Sequence, residues 1–103
     1  MQFDFKNKNL IELYTQGRSR KYDLPKSVIQ KFFMRIQQIE AAATIYDLWK
    51  SPSVNFEKLQ GYENKYSLRL DKGWRLEIEI QWNNREKTEG EVTILDITKH
   101  YGD

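Results

Sequence analysis

The sequence predicts an α+β fold, with two N-terminal helices packed on one face of a small, mostly antiparallel β-sheet. Apolar residues recur at helical spacing in the first half of the chain and at every other position in the second half. The stretch 66–82 also has a turn in its middle, which predicts a hairpin. Helices that precede a run of strands are typical of a two-layer sandwich. At 103 residues, the chain is expected to form a single domain over residues 1–103.

The chain is predicted to begin with a short strand and a short helix. Apolar side chains alternate within residues 2–6, as they do in a strand. Residues 10–17 have helical spacing, and Gly17 is expected to end this helix. Residues 18–21, Arg-Ser-Arg-Lys, then form a basic connection to the next element.

A longer helix is predicted to follow. Pro25 lies near its first position, where the fixed φ of proline is favoured. Apolar residues then recur at three- and four-residue steps and define a buried face: Val28, Ile29, Phe32, Phe33, Ile36 and Ile39. The opposite face is polar and is expected to be solvated: Lys26, Gln30, Lys31, Arg35 and Gln38. Residues 41–43 should prolong this helix, and residues 45–49 should add a short helical turn.

The second half of the chain is predicted to consist of strands. A short strand is expected over residues 54–58, and a polar loop follows at 61–65. After the hairpin, residues 83–90 are hydrophilic and are expected to form a mobile connection. Residues 92–97 are almost continuously apolar or β-branched, which indicates a central strand buried on both faces.

One register keeps the apolar side chains of the hairpin on a single face. A three-residue loop, with Gly73 at positive φ, pairs Leu70 with Trp74. A two-residue loop would instead pair Leu70 with Arg75 and break the apolar face. The favoured register also sets Arg69 directly opposite Arg75 on the polar face.

The facing arginines are the main candidate binding feature. Like charges directly opposite each other in a sheet are unfavourable, so an anion is expected to compensate for Arg69 and Arg75. Guanidinium groups are permanently charged and fork-shaped, which suits phosphate. The alternative is that Glu77 and Glu79, on the same face, neutralise the arginines in surface ion pairs. The residues by themselves leave the two interpretations equally open.

Three further side chains are candidates for the same site. Lys58 precedes a turn that leads towards the hairpin, although a lone lysine is usually only solvated. His100 is the only histidine and could both accept and donate a proton near neutral pH. Tyr101 beside it could donate a hydrogen bond or act as an acid. The alternative is that His100 and Tyr101 form a terminal aromatic pair that covers a sheet edge.

Two arginines, a lysine and a histidine on one sheet face would suit the cleavage of RNA without a metal ion. Cations hold the phosphate and stabilise the charge that develops on it. Proton-transfer groups act on the attacking 2′-hydroxyl and on the leaving oxygen. Because RNA carries its own nucleophile, no serine or cysteine is required. Trp49, Trp74 and Trp82 could stack on bases. Trp74 lies on the apolar face of the hairpin, however, and is expected in the core.

The composition excludes several other classes of function. Without cysteine, the chain has no disulfide, cysteine nucleophile or thiolate metal site, and one histidine excludes an all-histidine zinc site. No stretch approaches the roughly 20 apolar residues of a membrane span, and the first residues lack a signal-peptide core. A cytoplasmic protein without membrane contacts is therefore expected. Residues 1–50 hold nine Lys/Arg against five Asp/Glu, whereas residues 51–103 hold eight against ten, which favours local contact with a polyanion.

The chain resembles the HigB-type toxins of bacterial type II toxin–antitoxin systems, within the RelE-like superfamily. The matching stretches are residues 5–10, 39–42 with 45–48, 58–61, and 66–70 with 74–76. The resemblance implies a curved antiparallel sheet backed by two helices. It also implies cleavage of mRNA in the ribosomal A site, which leaves a 2′,3′-cyclic phosphate and needs no cofactor.

The resemblance also implies site residues and partners. Lys58, Arg69 and Arg75 correspond to the basic cleft residues of the family. His100 and Tyr101 fall where many members end in Asp-Tyr-His, but here the order is Lys-His-Tyr, which leaves the proton-transfer group open. The implied partners are a HigA-like helix-turn-helix antitoxin, the small ribosomal subunit and mRNA, with operator DNA bound only through the antitoxin. Two alternatives are a non-catalytic binding module of the same fold and a purely structural α+β protein.

Overall fold

The computed structural model describes residues 1–99 and confirms the predicted α+β fold, in which helices precede a mostly antiparallel sheet. Its elements in chain order are β1 (Phe3–Phe5), α1 (Lys8–Gln16), α2 (Lys26–Ala41), α3 (Ile45–Trp49), a 3₁₀ turn (Pro52–Val54), β2 (Glu57–Lys58), β3 (Lys65–Asp71), β4 (Trp74–Trp82) and β5 (Gly90–Lys99). The strand order is β1-β5-β4-β3-β2. Strand β1 runs parallel to β5, and the other neighbours are antiparallel.

The helix ends follow local capping rules. The Oδ1 atom of Asn7 accepts a hydrogen bond of 3.0 Å from the Leu10 amide and so caps the start of α1. Gly17 ends α1 in the left-handed conformation, with φ of 76°, as its position in the sequence predicts. Helix α3 begins with a capping box formed by Thr44 and Asp47. Hydrogen bonds from the backbone amides of Thr44 and Ala43 lower the pKa of the Asp47 carboxyl.

A single apolar core lies between the helices and one face of the sheet. Helix α2 contributes Phe32, Ile36 and Ile39, which are fully buried, as the helical spacing predicts. The sheet contributes the alternate residues of its three longest strands: Leu68, Leu70, Leu76, Ile78, Ile80, Val92, Ile94 and Ile97. Each such side chain stabilises the fold by about 1.5–3 kcal/mol when it is fully buried. None of the helices within residues 1–99 combines the length and apolar character of a membrane span.

The hairpin keeps the predicted pairing of Arg69 with Arg75 but closes with a different turn. The predicted pair of Leu70 with Trp74 is wrong, because Trp74 pairs with Asp71 and the register shifts between Arg69 and Asp71. The expectation of a positive φ at Gly73 is also wrong. Leu70 is instead the extra residue of a bulge, and it stays buried in the core. The bulge lets a two-residue turn preserve the apolar face, an option that the strict alternation did not include.

Strand β5 is internal to the sheet, but it is buried on one face only. Val92, Ile94 and Ile97 are buried, whereas the residues between them are partly exposed. The pairing with β4 skips Leu95, so a second register shift lies here. The expectation of burial on both faces is wrong because the helices cover only one side of the sheet.

Residues 83–90 are expected to be a mobile connection, but the structure shows a loop with many internal hydrogen bonds. The Asn84 side chain accepts hydrogen bonds from the amides of Thr88 and Glu89 and donates to the Thr88 hydroxyl. The Thr88 carbonyl in turn accepts a hydrogen bond of 2.8 Å from the amide of Ile45, the first residue of α3. The loop is therefore tied to the helical layer.

Gly90, at the start of β5, should be intolerant of a side chain. A Cβ atom there would lie 2.5 Å from the Gln81 carbonyl oxygen and 2.7 Å from Cγ2 of Ile80. We expect Gly90→Ala to lower the free energy of unfolding by about 1–3 kcal/mol, measured by urea denaturation. Gly73→Ala is the control, because the nearest atom to its added Cβ is 4.0 Å away. Equal stabilities of the two variants would contradict close packing at Gly90.

Tyr22 ties the connection between α1 and α2 to the sheet, and this contact should make stability depend on pH. Its hydroxyl donates a hydrogen bond of 2.8 Å to Oδ1 of Asp96. Burial, together with the hydrogen bond and the negative charge of Asp96, raises the pKa of Tyr22 to about 12. The native state therefore retains this proton where the unfolded chain, with a pKa near 10, has lost it. This contribution to stability is complete below about pH 10 and is lost as the pH rises towards 12.

We expect Tyr22→Phe to lose less stability than the wild type between pH 10 and pH 12, because phenylalanine has no proton to release. Urea denaturation at half-unit steps from pH 8 upwards measures the two slopes. Tyr66, whose pKa is also raised by burial, is present in both proteins and so cancels from the comparison. Identical slopes would show that the Tyr22 proton does not contribute.

Candidate functional site

The face of the sheet opposite the helices carries most of the candidate site. Residues that pair directly in antiparallel strands share a face. Ser67 pairs with both Glu57 and Glu77, and Arg69 pairs with Arg75. These five side chains therefore lie on one surface, which we call the polar face. Strand β5 extends it, with Asp96 and Thr98 opposite Glu77 and Arg75.

Arg75 is the most deeply buried charged residue of the polar face, with 2% of its surface exposed. Its Nε donates a hydrogen bond of 2.8 Å to the Ser67 hydroxyl, and its Nη2 donates to the carbonyls of Ser67 and Asn55. The same Nη2 lies 3.8 Å from Oε2 of Glu57. The sequence predicts the position of Arg75 on the polar face but not its burial, which arises because the segment before β2 brings Asn55 against the guanidinium group.

Arg69 is the more accessible of the two facing arginines, since its residue is only partly buried. Its backbone carbonyl accepts a hydrogen bond of 2.7 Å from Nε of Arg35. The structure thus brings Arg69 and Arg75 together, as the hairpin register predicts. The carboxylate of Glu57 lies beside Arg75, and the Glu77 carboxylate accepts a hydrogen bond from the Thr98 hydroxyl.

The structure does not bring Lys58 to the polar face. Lys58 pairs with Tyr66, whose ring lies in the core, so its side chain leaves β2 on the helical side of the sheet. Glu57, one residue earlier, occupies the polar face, and 48% of its side chain is exposed. Sequence reasoning missed Glu57, because nothing in a two-residue strand indicates which residue faces which side. A pairing partner was the only signal that could have found it.

The predicted proton-transfer residues, His100 and Tyr101, lie outside the described residues. The last described residues of β5 run beside the arginine pair, since Thr98 pairs with Arg75 and Lys99 pairs with Trp74. The described end of strand β5 therefore lies next to the site.

Arg35 is buried, although the helical pattern predicts it on the solvated face of α2. Only 3% of its surface is exposed. Its three nitrogens donate to the Arg69 carbonyl, the Gln38 side chain and the Ser53 carbonyl at 2.7, 2.8 and 2.9 Å. Burial lowers the pKa of the Arg35 guanidinium, although arginine remains protonated in proteins. The helical period predicts which face of α2 carries Arg35, but it cannot show that other elements provide hydrogen-bond acceptors for this side chain.

Of the tryptophans, Trp49 is the most exposed, at 47%, and its ring packs edge-on against Phe56. Trp74 and Trp82 are partly buried against the core, and Trp82 donates to the side chain of Asn64. The expected core position of Trp74 is therefore confirmed in part.

A separate concavity of about 770 Å³ lies along α1 and the basic connection after it. Lys8, Arg18 and Arg20 line it, together with Glu12 and Ile11. It contains neither of the paired arginines. Within residues 1–99, no three histidine or carboxylate side chains converge as a metal site would require.

Comparison with known proteins identifies a sequence family and, separately, a solved structure with the same fold. The family model described as a RelE-like toxin of the type II toxin–antitoxin system HigB matches residues 3–97. Among solved structures, the YoeB/ParE toxin from Agrobacterium tumefaciens matches with a TM-score of 0.58 and 13% sequence identity, over 98% of this chain and 100% of that one. At that identity, the likeness shows a shared fold. No curated protein sequence matches the chain.

The family match confirms the resemblance carried by the four sequence stretches. It also implies that the partner is an antitoxin, because each toxin of a type II system is paired with one. Since the match extends over nearly the whole sequence, the chain belongs to the HigB-like family of RelE-like toxins of type II toxin–antitoxin systems.

Proposed function

We propose that this toxin is a ribosome-dependent endoribonuclease that cleaves mRNA in the A site by attack of the 2′-hydroxyl, without a metal ion. The observation that supports it most strongly is the grouping of Arg69, Arg75 and Glu57 on the polar face. This grouping combines fixed positive charge with an accessible carboxylate, the two properties that cleavage of a phosphodiester requires.

The two arginines would act differently on the phosphate. Arg69 is partly exposed and would contact a phosphate oxygen directly. Arg75 is held by Ser67 and Asn55 beneath it and would stabilise the charge that develops as the 2′-oxygen attacks. A guanidinium group that is already fixed in place needs no reorganisation during the reaction, which is how preorganised charge lowers a barrier.

We assign the general base to Glu57 rather than to Lys58. The Glu57 carboxylate is half-exposed and lies 3.8 Å from Arg75, so it is close to the position that the phosphate would occupy. It would accept the proton of the 2′-hydroxyl. His100 or Tyr101 would then give a proton to the leaving 5′-oxygen, and Lys58 would contribute only longer-range charge. The products would be a 2′,3′-cyclic phosphate and a free 5′-hydroxyl.

The proposed partners follow from this substrate. The polar face is formed by neighbouring strands, a surface over which a polymer could lie. The mRNA would be presented by the small ribosomal subunit in the cytoplasm. The antitoxin would be a HigA-like helix-turn-helix protein, and operator DNA would be bound only through it.

A second candidate function is a non-catalytic binding module of the same fold. The burial of Arg75 favours this alternative, because three acceptors and Glu57 already surround its guanidinium group. Mapping mRNA 5′ ends in cells that express the toxin separates the two functions. New ends at in-frame positions support cleavage, whereas growth arrest without new ends supports binding alone.

Arg69 should be essential to toxicity. We expect Arg69→Ala to reduce the cleavage rate by about 10²–10³-fold and to abolish growth arrest on expression without antitoxin. Arg85→Ala is the matched control, because Arg85 is exposed in the 83–90 loop. Growth arrest and new mRNA ends that persist in Arg69→Ala would remove the arginine from the site.

Glu57 should be needed for cleavage but not for folding. We expect Glu57→Gln to slow cleavage by about 10²–10⁴-fold, because the amide cannot accept the proton. Glu79→Gln is the control, since Glu79 is exposed on the same face of β4, opposite Lys65. The rate of each purified variant is measured on ribosomes programmed with a defined mRNA. Equal rates for the two variants would exclude Glu57 as the base.

A further inference from the structure

Residues 53–57, which we call the bridging segment, carry Glu57 from the 3₁₀ turn into the polar face. Little strand pairing holds this segment, because β2 contains two residues and pairs with β3 only at Ser67 and Tyr66. Within it, Asn55 has a left-handed backbone with φ of 43° and ψ of 58°, an uncommon conformation for a residue other than glycine. Its two apolar side chains, Val54 and Phe56, are buried in the core, and other contacts hold its backbone carbonyls.

Two buried arginines hold the bridging segment from different layers of the fold. Nη2 of Arg35, on α2, donates a hydrogen bond of 2.9 Å to the Ser53 carbonyl. Nη2 of Arg75, on β4, donates to the Asn55 carbonyl. The acceptors are two residues apart, so the segment is fixed at two neighbouring points.

Arg35 also reaches the strand that carries the other site arginine. Its Nε donates a hydrogen bond of 2.7 Å to the carbonyl of Arg69. Strand β2 pairs with β3 only as far as Ser67. Arg35 therefore supplies a donor for a β3 carbonyl that lies beyond the end of that pairing. Arg69 lies next to the bulge at Leu70, where the regular ladder is interrupted. Arg35 thus contacts both β3 and the bridging segment.

Packing of the core does not by itself explain why a guanidinium group, rather than an apolar side chain, is buried at Arg35. Burying a charge costs desolvation energy, and well-packed apolar residues of similar size are often as stable as a buried ionic group or more so. What an apolar residue could not supply is three donors in one rigid plane. All three nitrogens of Arg35 are used, and two of the acceptors are backbone carbonyls, one of Arg69 itself and one of Ser53 in the bridging segment.

We propose that Arg35 is a positioning residue, which fixes Arg69 and, through the bridging segment, Glu57 in relation to Arg75. Arg35 lies beneath the site and would not contact the substrate. The inference rests on the proposed function for its catalytic consequence. Its structural part, control of the bridging segment by Arg35, can be tested without any activity.

The structural part is tested by amide hydrogen exchange in Arg35→Met, with Ile36→Val as the matched control. Ile36 is the neighbouring fully buried residue of α2 and has only apolar atoms to lose. The amides of Val54 and Asn55 form hydrogen bonds within the 3₁₀ turn, and the Gly17 amide at the end of α1 is a distant reference. We expect exchange at Val54 and Asn55 to be at least about tenfold faster in Arg35→Met, while Gly17 is unchanged.

The catalytic part is tested by single-turnover cleavage on programmed ribosomes. We expect Arg35→Met to lower the rate at saturating toxin about tenfold or more, because small misplacements of reacting groups are costly. The half-saturating concentration should change less than about twofold, since Arg35 does not touch RNA. Arg35→Lys retains the charge but carries its donors on one nitrogen instead of three, so its rate should be intermediate, and Ile36→Val should cleave at the wild-type rate.

The outcomes separate this inference from the proposed function. Unchanged exchange at Val54 and Asn55 in Arg35→Met would overturn the inference, whatever the cleavage rates are. Faster exchange with wild-type cleavage would overturn the positioning role in the reaction. If the wild-type protein itself does not cleave mRNA, the proposed function fails, and the exchange result still decides whether Arg35 holds the segment.

Discussion

Two buried guanidinium groups determine the geometry of the polar face. Arg35 enters from the helical layer and Arg75 from the central strand, and both donate to backbone carbonyls of the segment before β2. That segment has little sheet pairing, so its backbone is held by these donors, together with the burial of Val54 and Phe56 in the core, rather than by a ladder of backbone hydrogen bonds. Because buried donors and acceptors that lose their partners are costly, each arginine constrains the other through the shared segment. The position of Glu57 follows from both.

The sheet accommodates this arrangement through two register shifts, one on each side of β4. The first lies at Leu70, beside the arginine pair, and the second at Leu95, beside Glu77. Bulges increase local twist and re-aim side chains, and they are common next to functional sites. Here they also keep alternate apolar residues directed at the core on both sides of the shift. The same irregularities therefore serve the packing on one face and the polar groups on the other.

Family membership and geometry answer different questions about this toxin. The family match, residues 3–97, identifies a HigB-like member of the RelE-like toxins. The geometry supports particular roles within the proposed reaction, above all a half-exposed carboxylate beside a fixed arginine. In the proposed reaction, Arg75 would act as preorganised charge in the floor of the site rather than as an open clamp. The polar residues that the helical and strand periods do not explain, Arg35 and Glu57, are the ones that would link the fold to the proposed chemistry.

The sequence by itself determined the order of helices and strands, the end of α1 at Gly17, and the pairing of Arg69 with Arg75. These features depend on periodicity and capping, which are encoded within a few neighbouring residues. Only the tertiary structure decided that Arg35 and Arg75 are buried, and that Glu57 rather than Lys58 lies on the polar face with Arg75. Three of the carbonyls that these arginines bind, those of Ser53, Asn55 and Arg69, lie 18, 20 and 34 residues away, so no local pattern could reveal them. A polar side chain is buried only where distant acceptors satisfy it, and those acceptors exist only once the chain has folded.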